Sequence, residues 1–333
     1  MAKQNRVTIK DIAREVGVSV SLVSFVMSNQ ASGTNIYRVS PETSRRVLEV
    51  AKKLNYKPNN SARTLRSGKT NTIGVLLSDI ANPFFAEMAR QMEDTAAGYG
   101  YSVIFGSTDE NPEKLGTLID VFIARGIDGL IIVPCADSAK FISQKIGQIP
   151  IVLVDRSIDS LDVDSVVLDN YKAGREITDI LLQRGCRKVQ MMSYAMALSN
   201  TSERERGYMD SMTAAGLESS VKVGRFSHNH FESVGDFIDK AREDGADGLV
   251  FATNTIATQA ITYILGKGLR IPEDFAVASF DSNPAFDIYR TDIVFVRQPV
   301  ASFACCAIEQ MLKRITGSKN APVHMVLSPE IVK

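Results

Sequence analysis

Apolar positions change their spacing at about residue 72. Near the start, Ile9, Ile12, Ala13 and Val16 recur at helical intervals, with Thr8 placed to cap the helix and Gly17 to stop it. A turn over 17–19 leads to a second helical period over 20–27, with Ser19 as cap and Val23 and Val26 facing inward. A third, carried by Val47, Leu48, Ala51 and Leu54, follows Ser40-Pro41-Glu42, where Ser40 caps and Pro41 takes the first helical position. Two short helices joined by a tight glycine turn and followed by a third predict a small all-α unit containing a helix-turn-helix.

Beyond residue 72, short β-type apolar runs alternate with helical periods. Strands are predicted at 73–77, 101–106, 129–133 and 151–154, with helices at 83–99, 112–125 and 138–146 between them. A second series places strands at 188–194, 221–226, 248–252 and 275–280, and helices at 202–215, 234–243 and 256–265. A last helix is predicted at 302–316. Regular alternation of this kind implies parallel sheets covered by helices on both faces, here as two α/β lobes following one another.

Charge divides the chain at the same place. Residues 1–72 carry 13 basic and 4 acidic side chains, net +9, which leaves 25 basic and 34 acidic, net −9, for 73–333. The zero total therefore hides a basic head and an acidic body, and a basic three-helix unit points to a polyanion partner. The bland alternative is a docking bundle. Between the halves lies 58–72, PNNSARTLRSGKTNT, a polar basic passage with the composition of a linker. Its stretch 59–66 has room for only two helical turns, too few to be stable alone.

Other features exclude functions. Four cysteines without a CxxC pair read as reduced thiols, and the polar start lacks the apolar run of a secretory signal, so a cytoplasmic protein is expected. His228 and His230 are too few to hold a metal, and no metal or cofactor is expected. Neither GxxxxGK[ST], GxGxxG nor GxSxG occurs, and scattered carboxylates such as Asp155, Asp164 and Asp281 define no catalytic pair, so an enzyme is not expected.

The run TIKDIAREVGVSVSLVSFVMSN, followed by RVSPETSRRVLEVAKKLNYKPNNSARTLRSGKTNTIGVLLSDIANPFFAEMA, resembles the signature of the LacI/GalR family of bacterial transcription regulators. The resemblance implies a headpiece over 1–57, a hinge helix and linker over 58–72, and a two-lobed core over 73–333 like that of periplasmic sugar-binding proteins. It places Val20, Ser21 and Phe25 at base-reading positions and Thr8, Ser19 and Ser24 at phosphate-contacting ones. In the hinge, Asn59, Ala62 and Leu65 match DNA-contacting positions, with Leu65 where a leucine wedges into the minor groove. Three departures stand out. Leu22 and Phe25 replace the Thr and Arg usual in VSxxTVSRV, so the guanine-bridging fork is missing. A longer loop over 30–39 includes Tyr37 and Arg38.

In open α/β sheets ligands bind beyond the carboxyl ends of the strands. Asp155 closes IVLVD, Asn254 closes LVFATN and Asp281 closes VASFD, and the resemblance selects the same three as effector-binding. It adds Arg204, in RERG, and the aromatic residues Phe84 and Phe231. Asn254 is followed by Thr255 where the family has Asp, and VRQPV at 296–300 matches the crossover between lobes. The expected function is a homodimeric repressor of carbohydrate-use genes. It binds double-stranded operator DNA and responds to a sugar or sugar phosphate in the interlobe cleft. A periplasmic sugar-binding protein and an enzyme with a DNA-binding appendage are the rival readings.

Overall fold

A computed structural model describes the chain except for residues 1–6, 33–38, 57–67, 195–197, 228–229, 232, 282, 284–285 and 287–291; side chains are also left out at 28–32, 226–227 and 230–231. It divides into two compact units, Met1–Thr70 and Asn71–Lys333.

The first unit consists of α1 (Ile9–Val16), α2 (Val20–Ser32) and α3 (Pro41–Lys53). At the start of α1 the Asp11 carboxylate accepts both the Thr8 backbone N–H, at 2.9 Å, and the Thr8 hydroxyl, at 2.7 Å. The helix ends at Gly17, whose φ of 76° only glycine adopts without strain, and whose N–H returns to the Ala13 carbonyl. Ser19 Oγ accepts the Leu22 N–H at 3.2 Å and Ser40 Oγ accepts that of Thr43 at 3.2 Å, so both predicted caps form. Ile12, Val16, Val23, Val26, Val47 and Ala51 are the buried core at which the three helices meet. Arg46 donates to the Val16 carbonyl at 3.2 Å, satisfying an acceptor at the end of α1. One expectation needs correcting: α2 runs on to Ser32, so 30–32 are helical and not loop. That stretch holds no Pro or Gly before Gly33. Tyr37 and Arg38 lie outside the described residues.

The second unit holds two six-stranded sheets. The first lobe has β1 (Thr72–Leu77), β2 (Ser102–Ser107), β3 (Gly129–Ile132), β4 (Ile151–Asp155) and β5 (Asp164–Leu168), with β13 (His324–Leu327) beside β5, in the order β13-β5-β4-β3-β1-β2 and parallel throughout. The second has β6 (Val189–Tyr194), β7 (Val221–Gly224), β10 (Gly248–Phe251), β11 (Ala276–Phe280) and β12 (Ile293–Arg297), closed by an antiparallel β14 (Glu330–Val332), in the order β14-β12-β11-β10-β6-β7. A short ribbon pairs β8 (Phe226–Ser227) with β9 (His230–Phe231). The helices are α4 (Pro83–Gly98), α5 (Pro112–Ala124), α6 (Ala139–Ser143), α7 (Asn170–Gln183), α8 (Ser199–Ala214), α9 (Val234–Glu243), α10 (Asn254–Gly266) and α11 (Val300–Ile315).

The lobes do not simply follow one another, as the apolar pattern suggested. The chain leaves the first lobe after β5, returns to it through α11 and β13, and crosses once more into β14. VRQPV does hold a crossover, its first two residues ending β12 and its last opening α11. Several elements were not predicted, among them β5, α7, β12, β13 and β14. Strand β5 begins with Asp164, a polar residue that breaks the apolar run yet is buried, held by Arg314 of α11 through Nε at 2.6 Å and Nη2 at 2.8 Å. That fork fastens α11 to the first lobe.

Helices α7 and α8 pack backbone to backbone. A Cβ on Gly174 would lie 2.4 Å from the Arg204 carbonyl, and one on Gly207 would lie 2.3 Å from that of Tyr171. The last residue of α4, Gly98, by contrast faces open space. Gly207→Ala is therefore expected to lower unfolding free energy by about 1–3 kcal/mol through overpacking, whereas Gly98→Ala leaves it unchanged or slightly raised. Urea denaturation of the two variants tests this, and equal effects would refute it.

Candidate functional site

The carboxyl ends of both sheets converge on one cleft. From the first lobe come Ser78 and Asp79 after β1, Glu110 after β2, Asp155 at the end of β4 and Arg156 behind it, with Asn82, Phe84 and Phe85 at the start of α4. From the second come Tyr194 at the end of β6, Asn200, Thr201 and Arg204 on α8, Thr253, Asn254 and Thr255 at the start of α10, Asp281 after β11 and Gln298 after β12. The position of the cleft is the one open α/β sheets favour, because side chains there are freed from the strand ladder.

Arg204 is the most deeply set charge. At 2% exposure it donates from Nε to Asn170 Oδ1 at 2.8 Å and from Nη1 to the Ala252 carbonyl at 2.8 Å, and its guanidinium lies 4.1 Å over the Phe280 ring. Burial pulls its pKa down, and Asp281 and Asp155 offset this. Arg156 is also buried; it forks onto Glu110 at 2.7 and 2.9 Å and reaches the Pro134 carbonyl at 3.0 Å. Its Nε lies 3.3 Å from Asp155, without hydrogen-bond geometry. Both cations thus have protein partners already.

The two strand-end aspartates occupy equivalent places in the two sheets and both adopt left-handed backbone, at φ 69° for Asp155 and 64° for Asp281. Asp tolerates that region better than most residues, yet strain repeated at one site marks a functional constraint. Burial raises the pKa of each; for Asp281 it reaches about 6, against the pull of Arg204 and the hydrogen bond from Gln298 at 2.6 Å. Burial and then Glu110 push the Tyr194 phenol up to about 12.

Among the described residues, Ser157 N–H donates to Ser199 Oγ across the lobes at 3.1 Å, and two longer polar contacts join them beside it, Asn200 to Asp155 at 3.3 Å and Asn254 to Asn82 at 3.4 Å. Ser78 Oγ and Gln298 Oε1 are buried without a partner. Orphaned polar atoms in a lining are groups a ligand can satisfy.

Of the effector residues expected from the sequence, Phe84, Asp155, Arg204, Asn254 and Asp281 come together here. The side chain of Phe231 lies outside the described ones; its backbone pairs with Phe226 in the ribbon. Sequence reasoning missed Ser78, Asn82, Glu110, Arg156, Tyr194, Asn200 and Gln298. Ser78 and Arg156 had a usable signal, since each directly follows the end of a strand that the apolar pattern marks. Glu110 had none, because its loop position follows only from tertiary packing. In the first unit, Thr8 and Ser19 sit at helix caps, Val20 and Ser21 open α2, and Ser24 and Phe25 lie one turn on. Asn59, Ala62 and Leu65 lie outside the described residues. No cluster of three or more His, Cys, Asp or Glu side chains that could hold a metal occurs among the described residues.

A helix-turn-helix unit and a two-lobed α/β unit with a polar interlobe cleft define the class: regulators that couple a small-molecule site to DNA. The family described as "Bacterial regulatory proteins, lacI family" matches residues 8–59, and that described as "Periplasmic binding proteins and sugar binding domain of LacI family" matches 70–307. The chain belongs to the LacI family, and it is a DNA-binding transcription regulator. Among its relatives, the HTH-type transcriptional regulator RegA of Clostridium saccharobutylicum is 28% identical, with 98% of each chain covered. A solved periplasmic binding protein/LacI transcriptional regulator from Alkaliphilus metalliredigens QYMF, complexed with D-xylulofuranose, superposes with a TM-score of 0.69 at 25% identity, covering 79% of this chain and 97% of that one. The lac repressor dimer bound to operator and the anti-inducer ONPF gives 0.85 at 21% identity, covering 99% and 98%. No helix among the described residues is long and apolar enough to cross a membrane.

The raised pKa of Asp281 has a pH signature. Its protonated form suits the folded site better than its ionised form, so the contribution is fully present below its ordinary 3.8 and is lost as pH rises through about 6. The stability of the protein relative to Asp281→Asn should fall between those limits. Denaturation at pH 4, 5, 6 and 7 checks this, and a difference that does not change with pH contradicts it.

Proposed function

We propose that this regulator binds an uncharged sugar in the interlobe cleft, and that the lobe closure so stabilised alters operator affinity through residues 58–72. The supporting observation is the charge of the lining. Asp79, Glu110, Asp155 and Asp281 outnumber Arg156 and Arg204, and both guanidiniums already have partners. Carboxylates accept hydrogen bonds from sugar hydroxyls, and Phe84 and Phe85 provide an apolar wall. A phosphate ester would add like charge to an acid excess in a poorly solvated space. Between the two expected chemistries, sugar and sugar phosphate, the free sugar fits better.

In this reading Phe84, Asp155, Arg204, Asn254 and Asp281 hold the effector, with Phe231 as a further contact. The long Asn200–Asp155 and Asn254–Asn82 bonds are those a ligand replaces on entry, and a ligand that binds the closed form more tightly shifts the equilibrium by that difference alone. Thr8, Ser19 and Ser24 take phosphates, Val20, Ser21 and Phe25 face base edges, and Asn59, Ala62 and Leu65 act from the hinge in the minor groove. The headpiece spans 1–57, the hinge 58–72 and the core 73–333. The protein works in the cytoplasm as a homodimer on a paired half-site and represses genes of carbohydrate use.

Two measurements test this. Calorimetry against pentoses, hexoses and disaccharides, each with its phosphate ester, should find a free sugar that binds at least tenfold tighter than its ester; an ester binding as tightly as its parent, or more so, sinks the assignment. Arg204→Lys, which keeps the charge and loses the fork, should abolish the effect of that sugar on operator binding while leaving affinity for operator alone within about threefold. Unchanged effector response in this variant would move the site elsewhere.

A further inference from the structure

Helix α2, the second helix of the helix-turn-helix, reads VSLVSFVMSNQAS and carries no Asp, Glu, Lys, Arg or His in thirteen residues. Among the described residues of the headpiece the basic side chains stand elsewhere: Arg45, Arg46, Lys52 and Lys53 on α3, Lys10 and Arg14 on α1. Charge that attracts phosphate and the helix that enters the groove are thus separated. Phosphate contacts position a protein on the duplex, whereas base contacts specify the site.

The groups available at the leading end of α2 are few. Val23 and Val26 are buried in the headpiece core. Leu22 packs against that core as well. Ser19 Oγ is occupied as an acceptor by the Leu22 N–H. What faces outward on the first turn is Ser21 and, at 38% exposure, the isopropyl group of Val20. A serine hydroxyl bonds to either partner of a base pair and discriminates weakly. An isopropyl group cannot engage guanine O6 or N7, or adenine N6 and N7. One feature of the major-groove edge is apolar, the 5-methyl of thymine.

We propose that the first turn of α2 reads sequence chiefly through thymine 5-methyl groups packed against Val20, in place of the hydrogen-bonded guanine contact that a charged recognition helix supplies. The inference rests on the DNA-binding reading of the headpiece. Each half-site then contains a thymine whose methyl is buried on binding. Affinity comes from the salt-sensitive phosphate contacts of the flanking helices, and selectivity from an apolar contact that salt leaves almost unchanged.

The test begins with selection of duplexes from a random pool by the full-length protein. In the enriched duplex, each thymine of a half-site is replaced in turn by deoxyuridine, which removes the methyl and keeps the pairing, and each guanine by 7-deazaguanine. Losing one buried methyl is expected to weaken binding about fourfold, at one thymine position per half-site. In Val20→Ala that loss should shrink to nothing at the same position. A duplex indifferent to deoxyuridine at every position, or a loss that persists in full in Val20→Ala, overturns the proposal and leaves DNA binding intact. A selection that enriches no sequence overturns the DNA-binding reading, and this proposal with it.

Discussion

A guanidinium sealed from water must find its acceptors and counter-charges inside the protein, or the site that holds it does not form. Arg204 meets that requirement with groups from four elements: Asn170 at the start of α7, the Ala252 carbonyl after β10, the Phe280 ring at the end of β11, and the carboxylates of Asp155 and Asp281 from opposite lobes. Each partner sits at a strand end or a helix start, so each is placed only when its sheet is complete. The glycines that bring α7 and α8 together set how far Arg204 reaches. Cleft lining and core packing are in this sense one structure, because the partners that hold Arg204 come from both lobes.

Much of this was legible in the sequence, for identifiable reasons. Helix caps are local, so Thr8, Gly17, Ser19 and Ser40 could be read from a few neighbouring residues, and the structure puts each where it was expected. Strand ends are nearly local, which is why Asp155 and Asp281 were found; Asn254, expected to close a strand, instead opens α10 three residues beyond the end of β10. What failed depended on distant partners. Asp164 looks like a loop residue until Arg314, 150 positions later, supplies its counter-charge. Glu110 is an ordinary surface acid until Arg156 folds over it. The end of α2 escaped for the opposite reason: its apolar period stops at Met27, and the run SNQAS that follows has no apolar spacing to read.

The two units solve the problem of charge differently. In the cleft, Arg156 and Arg204 are buried and paired within the protein, which fixes their geometry, while Ser78 Oγ and Gln298 Oε1 are left without a partner. In the headpiece the charges are exposed and cheap to rearrange, suiting a partner of uniform charge whose information lies in a few base edges.

The three passages of the chain between lobes have a consequence for biosynthesis. The first sheet contains β5, which ends at Leu168, and β13, which ends at Leu327, and α11 packs on it from Val300 onward. At translation rates of about 5–20 residues per second, the nascent first lobe waits on the order of ten seconds for the pieces that cover its edge. The headpiece, complete within its own seventy residues, has no such wait. A chain emerging from the ribosome therefore carries a finished helix-turn-helix well before it has a core able to hold an effector, and the edge of β5 in that interval is a surface for chaperones or for misassociation with a neighbouring nascent chain.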